Sequence, residues 1–195
     1  MKLKLALVCV IGMLLLVGGI AAQDPNTKHF AKDGLSFDYS NGWMIDDKSN
    51  SDAQDISLGR SDSEALIKIY VHRGKVDTPE KMAQAKTKLI DPYVTYTEKQ
   101  LTATGAKPER VPANTEIGGV AAEGIRLQMR DSDPGEAAIF WATVGNRLVV
   151  LTFYGSDKAL KKATPTWDGI RNSLKIETPP PKGAASPSPL PKNTP

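Results

Sequence analysis

Apolar side chains at every second position predict strands through the first half of the chain. In residues 35–39, 55–58 and 65–72 they alternate with polar ones, the pattern of a strand with one buried face. A turn at residues 32–34 predicts that an earlier short strand, around Phe30, pairs with the first of these. A second turn, at residues 40–42, leads through Trp43 into a further short strand, and residues 49–53 form a polar loop.

The later strands have a different pattern. Residues 120–130 alternate, but residues 136–144 and 148–154 are almost wholly apolar and are joined by Gly145-Asn146, a strong signal for a tight hairpin. A hairpin pairs its strands antiparallel, and an antiparallel strand with one solvated face should alternate. Because these two strands do not alternate, both of their faces must be covered. The sequence therefore predicts a central antiparallel sheet between two layers.

Helices that could form those layers flank the hairpin. Residues 78–90 form the first, with Thr78 as its cap and Pro79 at its first position. Asp91-Pro92 ends or kinks it, and a weaker helical stretch covers residues 92–104. Residues 157–174 form the last helix, with Ser156 as its cap and a break at Pro165. Residues 105–119 are predicted to be irregular, with room for one short strand.

The predicted fold class is therefore α+β, an α/β/α sandwich with a central antiparallel sheet and helices on both faces. One domain is expected over residues 27–177, a length whose core can hold the fold without disulfides. Residues 178–195 contain seven of the chain's 14 prolines and predict a disordered, proline-rich tail.

The N-terminus is typical of a secretory signal. Two lysines precede an apolar run over residues 5–17, and Gly18, Gly19, Ala21 and Ala22 follow. We expect a signal peptide of residues 1–22, cleaved before Gln23, and a periplasmic or extracellular protein. The alternative is that residues 5–22 stay as a membrane anchor. Lipidation of Cys9 is disfavoured, because Val8 stands where a lipobox needs a small residue.

The net charge of the chain changes sign when residues 1–22 and 178–195 are left out. The chain has 25 Lys/Arg, 22 Asp/Glu and a net charge of +3. Four of the lysines lie in residues 1–22 and 178–195, which leaves 21 basic and 22 acidic residues, a net of −1. The charges alternate in sign without a basic block, which excludes nucleic acid as a partner. Cys9 is the only cysteine. A thiol-free mature chain without a glycosylation acceptor favours bacterial export.

The sequence offers no catalytic, cofactor-binding or metal-binding residues, and we expect no cofactor. His29 and His72, the only histidines, lie far apart in sequence and are interpreted as surface or edge residues. Asp131 and Asp133 fail as a calcium loop and indicate a turn. Three further groups are interpreted structurally. Asp46 and Asp47 are paired surface acids at a strand end, and Arg126, Gln128 and Arg130 form a solvated or salt-bridged strand face. The solvated helix face consists of Lys158, Lys161 and Lys162. The three tryptophans, Trp43, Trp141 and Trp167, are predicted to be core residues. Gly118, Gly119 and Gly124 lack the spacing of a phosphate loop.

Several motifs together resemble one family. Residues 34–43, Gly-Leu-Ser-Phe-Asp-Tyr-Ser-Asn-Gly-Trp, look like the opening strand and turn of the PsbP/Mog1-like superfamily, with Ser40 in place of the usual proline. The Gly118-Gly119 strand entry, the Gly145-Asn146 hairpin, residues 151–156 and the closing Trp167, Ile170 and Leu174 also fit. The resemblance covers roughly residues 28–176. It implies the same sandwich and a protein that is not an enzyme, and none of the family's partner-binding residues can be matched here.

Together these features predict an exported, non-enzymatic binding or accessory protein of the bacterial cell envelope, monomeric, with an unknown protein partner. The alternative is a carrier of a small apolar or lipid-like ligand held between the sheet and the helices. Contact with a membrane is expected only through an uncleaved N-terminal segment. A sizeable cavity inside the domain would distinguish the two functions, because the carrier needs one to hold its ligand.

Overall fold

The computed structural model describes residues 26–130 and 134–177. The predicted signal peptide, the predicted tail, and Asp131 and Asp133 lie outside these ranges. Over the described residues the chain has ten strands, which are β1 (Thr27–Lys32), β2 (Leu35–Ser40), β3 (Met44–Asp47), β4 (Ala53–Arg60), β5 (Ser63–Lys75), β6 (Glu109–Ile117), β7 (Val120–Met129), β8 (Gly135–Val144), β9 (Arg147–Ser156) and β10 (Lys175–Ile176). Its helical elements are α1 (Pro79–Ala85), a π-helical turn (Lys86–Ile90), α2 (Asp91–Ala103) and α3 (Asp157–Ser173).

Seven strands form the central sheet, in the order β3-β4-β5-β9-β8-β7-β6, and every neighbouring pair is antiparallel. Strands β8 and β9 lie inside it and are buried on both faces, as predicted. Gly145 and Asn146 join them with φ values of 54° and 63°, the left-handed pair of a tight hairpin turn. Strands β1, β2 and β10 form a separate small sheet.

The central sheet has a hydrophobic core on each face. On one side α3 and the small sheet cover it, and Trp167 of α3 stacks on Phe153 of β9 with ring centroids 4.9 Å apart. On the other side α1, the π-helical turn and α2 pack against β7, β8 and β9, and bury Ile90, Val94 and Trp141. The α+β sandwich with helices on both faces is therefore confirmed. Over the described residues, no helix is long and apolar enough to cross a membrane.

The prediction for residues 105–119, an irregular stretch with one short strand, is wrong about the length of that strand. Residues 109–117 form β6, a nine-residue strand that pairs with β7 along its whole length. The strand lies at the edge of the sheet, where Pro112 is tolerated because only one side of the strand has a partner. One face of β6 carries Val111, Ala113, Thr115 and Ile117, and the other face is exposed. Only Ile117 is fully buried, so this alternation is a weak signal in the sequence.

Two predictions about α3 are also wrong. The helix is continuous through Pro165, whose exposed position lets the chain lose one hydrogen bond without a break. Ser156 occupies the cap position, but its side chain makes no capping bond and its hydroxyl instead donates to Glu64 at 3.4 Å. The cap of α1 is confirmed, since the Thr78 hydroxyl accepts from the backbone N–H of Lys81 at 3.3 Å.

Candidate functional site

The two histidines do not form a site. His29 is half-exposed on β1, and its Nδ1 lies 2.6 Å from a carboxylate oxygen of Asp38. His72 lies on β5 in the other sheet, and it is only partly buried. The interpretation of His29 as an edge residue is confirmed; His72 is more enclosed than predicted, because its Nδ1 is buried and has no hydrogen-bond partner within the described residues.

The charged groups singled out in the sequence form ion pairs or face solvent. Arg126 Nη1 lies 3.2 Å from Glu136, and Asp47 lies 2.6 Å from the Lys32 ammonium. Hydrogen bonds from Lys32 and then from Ser49 lower the pKa of Asp47 to about 2. The remaining members follow the same pattern: Arg130 faces Glu109, Asp46 pairs with Lys48, and Lys158, Lys161 and Lys162 are exposed. The structural interpretation of these groups is confirmed.

The tryptophans are core residues, as predicted, with at most 7% of each exposed. Across residues 26–130 and 134–177, no group of three or more histidine, cysteine or acidic side chains is arranged to hold a metal ion.

Together, α1, the π-helical turn and α2 form what we call the helical arm. A pocket of about 290 Å³ lies between the central sheet and this arm. We call it the sheet–helix pocket. Its floor is one face of three adjacent strands, with Asp55 from β4, Lys68 and Tyr70 from β5, and Val150 and Thr152 from β9. Leu89 of the π-helical turn and Tyr93 of α2 form its wall. Its surface is mostly apolar, which is typical of pockets that bind small molecules.

Strand register brings the floor residues together. Tyr70 lies opposite Asp55 on one side and Val150 on the other, and Lys68 lies opposite Thr152. Since side chains alternate between faces, Lys68 and Tyr70 point to the same side, away from Ile67 and Ile69 in the opposite core. Two of the five floor residues therefore belong to the polar face of β5, which the sequence pattern distinguishes from the apolar face of that strand.

The wall depends on a local departure from α-helical geometry. Pro92 has no N–H, and in an α-helix its ring would collide with the carbonyl of Lys88. The turn before it widens to π geometry, in which the Asp91 N–H donates to the Lys86 carbonyl. The helix thereby continues past Pro92 into α2 and places Leu89 and Tyr93 over the sheet. Of the two outcomes predicted at Asp91-Pro92, a helix end is therefore wrong, because the helical path continues into α2.

Two hydroxyl groups on the pocket wall and floor bond each other. Tyr93 Oη lies 3.0 Å from Thr152 Oγ1, and Thr152 is only 5% exposed. Burial, and then the negative charges of Asp55 and Asp52, raise the pKa of Tyr70 above its ordinary value of 10.0. Tyr70 therefore stays protonated at neutral pH and can donate a hydrogen bond into the pocket.

The comparisons with known proteins bear on the fold. The sequence matches no model of a known family and no curated protein. Among solved structures, the cyanobacterial PsbP (CyanoP) of Synechocystis sp. PCC 6803 is similar over 83% of this chain and 99% of that chain, with 12% identity and a TM-score of 0.50.

Two other solved structures are similar with lower scores. A Bacteroides thetaiotaomicron protein matches over 79% of this chain and 50% of that chain, with 10% identity and a TM-score of 0.48. LpqN, described as involved in cell envelope biogenesis of Mycobacterium tuberculosis, matches over 78% of this chain and 91% of that chain, with 11% identity and a TM-score of 0.42. At these identities a likeness concerns architecture. The PsbP of Synechocystis is matched over nearly its whole length, so this chain shares the fold of that protein, in agreement with the fold that the resemblance implied.

Proposed function

We propose that the protein is an exported, non-enzymatic binding protein of the cell envelope that holds a small molecule with an apolar body in the sheet–helix pocket. This proposal rests on the pocket itself, which has a volume of about 290 Å³ and lies between the sheet and the helices. Its size and mostly apolar lining, with a few converging polar groups, are those of a ligand site. A partner protein in the envelope stays a prediction of the sequence.

The three hydroxyl groups of the pocket, from Tyr70, Tyr93 and Thr152, are suited to recognition rather than to catalysis. The hydroxyls of Tyr93 and Thr152 are bonded to each other, so neither is aligned with a base that could activate it. Tyr70 has a raised pKa, so at neutral pH it is a hydrogen-bond donor and not a proton acceptor. These groups can orient a bound molecule, which is what a binding protein requires.

A pocket-filling variant tests the binding function. Toluene is a suitable probe, because it is small, apolar and uncharged, and binding to the folded state raises the melting temperature. Leu89→Trp places an indole in the pocket from its wall, whereas Tyr96→Trp changes a side chain of α2 that is 60% exposed. We expect toluene to stabilise the wild-type protein and Tyr96→Trp, but not Leu89→Trp. Equal stabilisation of both variants, or none of the wild type, would contradict the proposal.

Export is tested separately. Cell fractionation followed by N-terminal sequencing of the purified protein should give a soluble envelope protein that begins at Gln23. A membrane-bound product that retains residues 5–22 would instead support the anchored alternative. A cytoplasmic product with an intact N-terminus would contradict export.

A further inference from the structure

The sheet–helix pocket contains one cationic and one anionic side chain that are not used by the fold. Lys68 and Asp55 are both half-buried and both line the pocket. Within residues 26–130 and 134–177, neither side chain forms an ion pair within 4.0 Å or a side-chain hydrogen bond, whereas Arg126 and Asp47 do. Because no protein side chain pairs with either charge, both are available to form charge-assisted hydrogen bonds with a ligand in the pocket.

The register fixes how these two charges are arranged. Asp55 lies opposite Tyr70, two positions from Lys68 on the same face of β5. Diagonal neighbours of this kind have Cα atoms roughly 7–8 Å apart. The ammonium and the carboxylate therefore stand side by side on the pocket floor without meeting. A ligand that carries an ammonium and a carboxylate on the same carbon atom could pair its carboxylate with Lys68 and its ammonium with Asp55.

The pocket volume limits the rest of the ligand. A cavity of about 150 Å³ holds one benzene ring, so 290 Å³ holds about twelve non-hydrogen atoms. That is too little for a long acyl chain, but enough for a charged head and an apolar group the size of a phenyl ring. Leu89, Val150 and the ring of Tyr93 would contact that apolar group.

We propose that the pocket selects a small zwitterion of the α-amino acid class with an apolar side chain, its carboxylate on Lys68 and its ammonium on Asp55. This rests on the proposed function, since it requires the pocket to be a ligand site. It narrows that function from an apolar or lipid-like ligand to one that carries both charges.

A matched series of ligands tests the proposal on the wild-type protein. The probes are L-phenylalanine, 3-phenylpropanoate without the ammonium, 2-phenylethylamine without the carboxylate, and toluene without either. Isothermal titration should show that phenylalanine binds at least tenfold more tightly than each of the other three. Binding of 3-phenylpropanoate or 2-phenylethylamine as tight as that of phenylalanine would overturn the zwitterion proposal.

Variants assign each charge to its partner. Lys68→Gln should weaken phenylalanine binding at least tenfold and remove its advantage over 2-phenylethylamine. Asp55→Asn should remove its advantage over 3-phenylpropanoate. The exposed Lys158→Gln and Asp157→Asn, on α3 at the other face of the sheet, are the controls and should leave all affinities unchanged. A Lys68→Gln protein that unfolds like the wild type and still prefers phenylalanine would overturn the assignment.

The series also separates the two proposals. If toluene binds and the charged probes bind no more tightly, the pocket is a carrier site for neutral ligands and the zwitterion proposal is wrong. If none of the four probes binds, both proposals fail together.

Discussion

The hydrogen bond between Tyr93 and Thr152 joins the wall of the sheet–helix pocket to its floor, and a double-mutant cycle measures its strength. The two oxygens are 3.0 Å apart, one on α2 and the other on β9. Tyr93→Phe removes one hydroxyl and Thr152→Val removes the other, each with little change in shape. The double variant removes both, so that neither hydroxyl is left without a partner.

The expected magnitudes follow from burial. A buried hydroxyl that loses its partner costs about 1–3 kcal/mol. Thr152 is 5% exposed, but it borders a pocket of about 290 Å³ in which water has room to bond the remaining hydroxyl. The low end of the range is therefore expected, about 1 kcal/mol for each single variant. The double variant should cost about the same as one single variant, which corresponds to a coupling energy of about 1 kcal/mol.

Urea denaturation followed by far-ultraviolet circular dichroism measures these differences. With a slope of about 2 kcal/mol/M, each single variant should lower the unfolding midpoint by about 0.5 M. Thr102→Val is the control, because Thr102 is an exposed residue of α2 whose hydroxyl bonds only its own helix backbone, and its midpoint should change little. Additive costs of Tyr93→Phe and Thr152→Val would refute the reasoning, since they would show that the two hydroxyls do not depend on each other.

Three further predictions concern the fold. Gly124→Ala should cost about 1–3 kcal/mol in urea unfolding, because its new Cβ would overlap the ring of Phe140; a neutral effect would contradict this close approach. Pro165→Ala should raise the free energy of unfolding by up to about 3 kcal/mol, because it restores a helical N–H, and a lower melting temperature would contradict it. Asp47 has a folded pKa of about 2 because of its bond from Lys32, so it favours folding above its ordinary pKa of 3.8. Its contribution should be lost as the pH falls from about 5 to 2, and Asp47→Asn should weaken this pH dependence of the unfolding midpoint; an unchanged profile would contradict it.

The central sheet could be predicted because its strongest signals are local. The apolar runs of β8 and β9 and the Gly145-Asn146 turn between them require an antiparallel hairpin with both faces covered, and the structure has this arrangement. Strand β6 has a weaker signal. Its residues alternate between two faces, but eight of the nine are partly or fully exposed, Pro112 is unfavourable inside a strand, and the pairing with β7 supplies the hydrogen bonds. An edge strand of this kind is determined by its neighbour more than by its own sequence.

The pocket could not be predicted, because its residues come from three separate patterns. Lys68 and Tyr70 belong to the polar face of β5, Val150 and Thr152 to the apolar run of β9, and Tyr93 to a helix of weak propensity. Each residue alone is ordinary in its pattern. Residues of the three patterns meet because the helical arm, with its π-helical turn before Pro92, continues across the sheet.

The position of the pocket follows from the unequal cover on the two faces of the sheet. On one face α3 and the small sheet bury residues as far as β4 and β5, including Ile56 and Ile67. On the other face the buried residues of the core under α1 and α2 come from β7, β8 and β9, and none of those described comes from β3 or β4. The pocket lies where that cover ends. Apolar side chains from under the helices and charged side chains from the open sheet meet only at this boundary, which is why Val150 and Lys68 line the same space.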